Sequence, residues 1–119
     1  MGLDMYLEKK VGNEWVEIGY WRKANHIRGW FERHLPDFAD NSRTPITQET
    51  LKELLVDCQK VLLDHDKAKL LLPRQSGFFF GSLDYDEYYY EDIEDTIKMI
   101  QDILSSDLSG AELAYSEWY

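Results

Sequence analysis

A chain of 119 residues with a formal net charge of -10 is sized for one domain, residues 1–119, and has little room for a second. Its 44% hydrophobic content supports one real core, with roughly 65% of the unfolded surface buried on folding. The acidity argues against binding free nucleic acid or an anionic membrane, and the lone Cys58 excludes an internal disulfide. The charge is uneven: residues 1–60 carry nine Lys and Arg against ten Asp and Glu, whereas residues 61–119 carry four against thirteen.

The chain opens as a β-hairpin. Leu3, Met5 and Leu7 alternate with Asp4, Tyr6 and Glu8, and Val16, Ile18 and Tyr20 alternate with Trp15, Glu17 and Trp21. Gly12-Asn13 supplies the turn, since both tolerate positive φ. Ala24, Ile27, Phe31 and Leu35 then recur at helical spacing, which predicts a short helix over 23–34 that ends before Pro36. Residues 36–46, with two prolines and several turn formers, read as a loop.

The next helix is the clearest element. Thr47 is its N-cap, Glu49 favours the helix dipole, Ile46 can staple onto Leu51, and Leu51, Leu54, Leu55, Cys58, Val61 and Leu62 form its apolar stripe. Leu70-Leu71-Leu72 continue or end a helical turn before Pro73, and Gln75-Ser76-Gly77 reads as a turn. The Phe78-Phe79-Phe80 run fits either a short buried strand or an aromatic plug. A further helix is expected from Asp84 or Asp86 to about Leu104, with Tyr90, Ile93, Ile97, Ile100 and Leu104 inward and Tyr89 and Ile103 flanking. The aromatic tail from Ala111 is expected to return as a strand beside the hairpin. The fold class is therefore α+β: a small antiparallel sheet, hairpin plus C-terminal strand, packed against about three helices.

The stretch Asp84 to Asp95 carries seven carboxylates and no base. On a helix, Glu87, Glu91, Glu94 and Asp95 share one solvent side. Acids favour the first turn, but like charges at i,i+4 cost a few tenths of a kcal/mol per pair. One reading is a solvated acidic face; the other is a surface that competes for a basic groove, with imitation of phosphates as one mode. In the second reading Asp84, Asp86, Glu87, Glu91, Glu94 and Asp95 present charge, while Tyr85 and Tyr88 supply contact area.

No catalytic constellation accompanies this stretch, and no enzyme activity or cofactor is expected. Ser76 lacks a nucleophile elbow, and Gly77 and Gly81 form no phosphate loop. His26, His34 and His65 make no His-x-x-x-His pair, and Asp84, Asp86 and Tyr88 begin a calcium-loop spacing without its glycine, so no metal site is expected. Arg22, Lys23, Arg28 and Arg33 form the one basic cluster, beside Tyr20, Trp21 and Trp30; these cations either pair with acids inside the fold or line an anion pocket. A ligand pocket of Tyr20, Arg22, Lys23, Asn25, Gln75 and Ser76, suited to a small anion such as a nucleotide, is the alternative to the acidic surface. No transmembrane run or signal peptide is expected, which makes cytoplasm the natural compartment.

Four phrases resemble a family of small proteins encoded by phages and prophages. They are Met1-Gly2-Leu3-Asp4-Met5-Tyr6-Leu7, Gly19 to Asn25, Gln75 to Ser82, and Tyr85 to Tyr90. Members are mostly of unassigned function, and some carry a phosphoglycerate-kinase label that this length cannot support. The resemblance implies a phage or mobile-element origin and transfers no catalytic residue. With the acidity, it leads to the expectation of a host-cytoplasmic accessory protein that binds and inhibits a nucleic-acid-handling complex with a basic surface, such as a CRISPR effector or a restriction complex, without contacting nucleic acid or membrane itself.

Overall fold

Period-two alternation at the N-terminus builds the hairpin of β1 (Asp4–Val11) and β2 (Glu14–Arg22), joined by Gly12 at φ 63. The computed structural model describes residues 2–77 and 79–119. Strand β4 (Leu113–Trp118) pairs antiparallel with the free side of β1, and β3 (Arg43–Ile46) pairs antiparallel with β4, giving the order β2-β1-β4-β3. The helices are α1 (Asn25–His34), α2 (Gln48–Leu63), the single turn α3 (Ala68–Leu71) and α4 (Glu87–Ser105). The expected α+β architecture is therefore the observed one.

Leu3, Met5, Leu7, Trp21, Leu113 and Tyr115 form the inner face of the sheet, and all are buried. Phe31 of α1 stacks on Tyr115 at 4.2 Å between ring centroids, and Thr96 of α4 accepts a hydrogen bond from Trp21 Nε1 at 2.8 Å. Helix α2 packs against α4 and is tied to α1 where Trp30 Nε1 donates to Asp57 Oδ2 at 2.8 Å. Its N-terminus follows the expected cap: the Thr47 hydroxyl accepts from Thr50 N, and Thr50 Oγ1 accepts from Thr47 N.

Three local expectations are corrected. The alternation of β2 breaks where Leu7 opposes Gly19 and Glu8 opposes Glu17, which leaves Ile18 as an extra residue. The bulge shifts the parity of the residues after it, so Trp21, opposite Met5, is buried while Tyr20, opposite Tyr6, is exposed. Gly19 belongs there because a Cβ would lie 2.7 Å from Met99 Sδ of α4.

The loop expected over 36–46 ends at Ser42, and strand β3 follows. Pro45 is compatible with a strand here because β3 is an edge, where a missing N–H costs no ladder bond. Thr44 and Ile46 point inward and are buried.

The inner stripe of α4 is Tyr89, Ile93, Thr96, Ile100 and Ile103, with Tyr90, Ile97 and Leu104 only half-buried at its side. The stripe includes a threonine because its hydroxyl is fully used: it accepts from Trp21 and donates to Asp92 O at 2.6 Å. Of the aromatic run, Phe78 lies outside the described residues. Phe79 and Phe80 sit in a turn, with Phe80 N donating to Gly77 O at 3.1 Å and Leu3 N donating to Phe79 O at 3.1 Å. No helix among the described residues is long and apolar enough to cross a membrane.

Candidate functional site

The segments Gly19–Asn25, Gln75–Ser82 and Tyr85–Tyr90 meet at the start of α1. Lys23, at φ 55, turns the chain out of β2, and Asn25 opens the helix with its side chain fully buried. Asn25 Nδ2 donates to Phe80 O and Ser82 O, each at 2.9 Å, while Asn25 Oδ1 accepts from Gln75 N at 3.0 Å. One amide thus holds the 75–82 loop at three points. Gly77 allows the loop to close, since a Cβ there would fall 2.4 Å from the Phe80 ring.

Next along α1, buried His26 packs against Tyr89, the ring centroids 4.4 Å apart and the planes tilted by 35°, and accepts a hydrogen bond from Arg74 Nη1 at Nδ1, 3.1 Å away. The ring proton then belongs on Nε2, which has no hydrogen-bond partner among the described residues. Burial first, and the Arg74 charge second, hold the imidazole well below its usual 6.5. As pH falls through 6.5 the unfolded chain binds this proton and the folded one does not, so His26 makes stability fall with pH. Asp92 acts oppositely: burial raises its carboxyl from 3.8 to about 6, with Arg74 opposing and Asp95 and Glu91 reinforcing the rise. Its folded form keeps a proton in that interval, so its contribution to stability is lost as pH rises through about 6. The difference between wild type and His26→Phe isolates the histidine. Chemical unfolding of both at pH about 7.5 and about 5.5 is expected to show a smaller acid loss in the variant; equal losses would exclude a buried neutral His26.

Arg28, one turn into α1, is the centre of a polar network that joins α1, the 38–41 loop, Gln75 and β4. Its Nε lies 3.0 Å from Glu117 Oε1, its Nη1 donates to Glu32 Oε2 at 2.7 Å and to Gln75 Oε1 at 2.8 Å, and its Nη2 donates to Asp40 Oδ1 at 2.7 Å. The guanidinium also sits 4.6 Å from the Phe80 ring centroid, 5.0 Å from Phe38 and 5.6 Å from Tyr119. Glu117 is fully buried and accepts further hydrogen bonds from Tyr115 Oη at 2.9 Å and Asn41 N at 3.2 Å. Above this network lies an open cleft of about 630 Å³, walled by Phe38, Phe80 and Tyr119 and rimmed by Glu32, Asp40 and Gln75-Ser76-Gly77.

The six-residue pocket read from the sequence is accordingly corrected. Gln75 and Ser76 do border one cleft, and Asn25 anchors its loop from below. Tyr20, Arg22 and Lys23 are absent from the lining. The Tyr20 hydroxyl donates to Asp4 on the sheet at 2.5 Å, Arg22 opposes Asp4 at the end of β2, and the Lys23 side chain runs between Gly2 and Gly81. The basic cluster is dispersed in the same way. Arg28 is consumed by internal acids, and Arg33 Nη2 donates to Leu71 O at 3.2 Å.

The acidic segment divides into two parts. Asp84, Glu87, Tyr88, Glu91, Glu94 and Asp95 are exposed, Tyr88 by 65%. Asp86 and Tyr85, expected to face a partner, are instead half-buried and tied into the fold. Asp86 is the N-cap of α4, its Oδ1 accepting from Tyr88 N and Tyr89 N. The Tyr85 hydroxyl accepts from Arg74 N at 2.8 Å, and its ring packs on Tyr89.

Cys58 is buried, which pushes its thiol far up. His34 stacks on Trp30 and His65 on Tyr90. Among the described residues no group of three or more His, Cys, Asp or Glu side chains is placed to hold a metal ion. Comparison with family models, curated proteins and solved structures yields no significant match.

The residues that sequence reasoning missed are Glu32, Asp40, Glu117 and Tyr119. One signal for Glu117 exists: it shares strand parity with Leu113 and Tyr115, so the alternation that turns those inward also turns a carboxylate inward. A buried carboxylate needs a cation, and Arg28 lies next to Ile27 on the inner side of α1.

Proposed function

We propose that this is a phage-type accessory protein that binds a basic surface of a host nucleic-acid-handling complex and inhibits it, acting in the host cytoplasm without chemistry of its own. The observation that carries this reading is the state of the acidic helix. Glu87, Glu91, Glu94 and Asp95 stand exposed along α4 with Asp84 just before it, and none of the ion pairs among the described residues involves them. Helix capping is already done by Asp86, so these charges are not needed to start the helix. They repel one another and gain no internal partner, which is the arrangement expected of a surface kept for an external cation. Exposed Tyr88 adds rigid contact area among them. Imitation of phosphates by a row of carboxylates on a helix is the mode of inhibition that fits such a surface.

The test is inhibition of DNA cleavage by purified CRISPR effectors and restriction complexes. Inhibition by the wild-type protein is expected to weaken with added salt, since exposed charges are screened beyond about 10 Å at about 0.1 M. The triple charge reversal Glu87→Lys, Glu91→Lys, Asp95→Lys should abolish it while leaving the fold intact by circular dichroism. A folded triple variant that inhibits as well as wild type would rule the acidic face out.

A small-ligand function centred on Gln75 and Ser76 is supported by the cleft they border. The carboxylates around it disfavour the anion first envisaged there.

A further inference from the structure

We infer that the cleft above Arg28 binds an organic cation, a guanidinium or primary ammonium group received between the Glu32 and Asp40 carboxylates and against the rings of Phe38 and Tyr119. This site shares no residue with the acidic face of α4 and stands independently of it.

Charge decides the class of ligand. Among the described residues Arg28 is the one cation lining the cleft, and its Nε, Nη1 and Nη2 are directed to Glu117, Glu32, Gln75 and Asp40. Four of its five N–H donors are thereby engaged by the protein, which leaves little of the guanidinium for an incoming anion. Three carboxylates against one guanidinium leave the network net negative, and a cleft with low-dielectric walls concentrates that field.

The carboxylates retain capacity. Glu32 takes both Arg28 and Gln75 on Oε2, which leaves Oε1 for a ligand, whereas Asp40 takes Arg28 on Oδ1 and a further hydrogen bond from the Tyr119 hydroxyl. Their side chains are 44% and 66% exposed, which leaves them open to a ligand from solvent.

The walls suit the same chemistry. Phe38, Phe80 and Tyr119 already hold one guanidinium at 4.6 to 5.6 Å, within the range of cation–π attraction. Phe38 and Tyr119 are only half-buried, so their rings extend into the cleft mouth. The remaining rim, Gln75-Ser76-Gly77, is held by the Asn25 clamp and presents polar groups that do not have to be ordered when a ligand arrives. A volume of about 630 Å³ accommodates a cation with several carbons attached.

Agmatine is the probe, titrated into the full chain by calorimetry and by amide NMR shifts, with inorganic phosphate and adenosine monophosphate as anionic controls. Agmatine is expected to shift the amides of 75–77 and 38–40, and the anions are expected to leave them unmoved. Asp40→Asn should weaken agmatine at least about tenfold, the effect of one lost charge-assisted contact. Ser76→Arg leaves every partner of Arg28 in place and tethers a competing cation at the rim, so it should abolish binding in a protein of unchanged stability. The α4 triple reversal should bind agmatine as wild type does. An acetylated, amidated Gly-Arg-Gly peptide that binds better than agmatine or spermidine identifies the source as a protein side chain; the reverse order identifies a free polyamine-like molecule. The inference is overturned if agmatine leaves folded wild-type protein unshifted at about 10 mM, a concentration well above the Kd of even weak ligands, if the anions bind in its place, or if Ser76→Arg has no effect.

Discussion

Arg28→Ala is expected to lower stability by about 3–5 kcal/mol, the cost of stranding a buried carboxylate by removing its cation. In the variant, Glu117 would remain fully buried with only Tyr115 Oη and Asn41 N as donors. Two hydrogen bonds from neutral donors do not replace a guanidinium at 3.0 Å. Arg28→Lys should fall between wild type and alanine, because a single ammonium cannot serve Glu117, Glu32, Asp40 and Gln75 at once. Removing both charges with Arg28→Ala and Glu117→Gln should cost less than the sum of the single changes, since the stranded charge is then gone. Urea unfolding followed by the fluorescence of the four tryptophans measures all of these. A loss below about 1 kcal/mol in Arg28→Ala would mean that Glu117 finds water or a proton instead.

Asn25→Ala is expected to be the second large effect, about 2–3 kcal/mol, because three backbone groups lose a partner together. Gln75 N, Phe80 O and Ser82 O all depend on that one amide. The loop can recover part of the cost by swinging into water, so the clearer readout is hydrogen exchange. The amides of 75–82 should lose protection in the variant while those of β1 and β4 keep theirs. Asn25→Asp should be at least as damaging as alanine. It keeps the acceptor for Gln75 N but turns a carboxylate oxygen toward two carbonyls. Retained protection across 75–82 in Asn25→Ala would show that the Leu3–Phe79 bond and the Gly77–Phe80 turn hold the loop without the clamp.

Much of the scaffold was legible from local pattern. Thr47 at a helix start, the 51-54-58-61 stripe, the Gly12-Asn13 turn and the aromatic C-terminal strand each rest on interactions within a few residues or on a simple period. The misreadings share a different cause. The β2 bulge at Ile18 depends on pairing with β1, the glycine at 19 answers to Met99 of α4, and Pro45 fits a strand only because β3 is an edge. Thr96 reads as polar and outward until Trp21 arrives from another element to use its hydroxyl.

The candidate sites follow the same division. Helical spacing within one segment was enough to gather Glu87, Glu91, Glu94 and Asp95 on one side, and the structure leaves them there, exposed. It was not enough to see that Asp86 caps the helix and that Tyr85 is bonded to Arg74. Of the cleft, local reasoning reached only Gln75 and Ser76 on its rim. Its parts come from α1, the 38–40 loop, the 75–80 turn and the strand end at 117–119, and the group that touches all of them is one guanidinium.

The sequence by itself therefore determined an acidic α+β domain with one uncompensated helix face, because charge balance and periodicity are properties of neighbouring residues. Which cations were already spoken for, and hence that the Gln75–Ser76 cleft is negative, was decided only by the tertiary structure. Arg28 looked like part of a basic cluster on its own helix. Folding brings it to Glu117, 89 positions away, and a buried charge must be neutralised by whatever the fold places beside it.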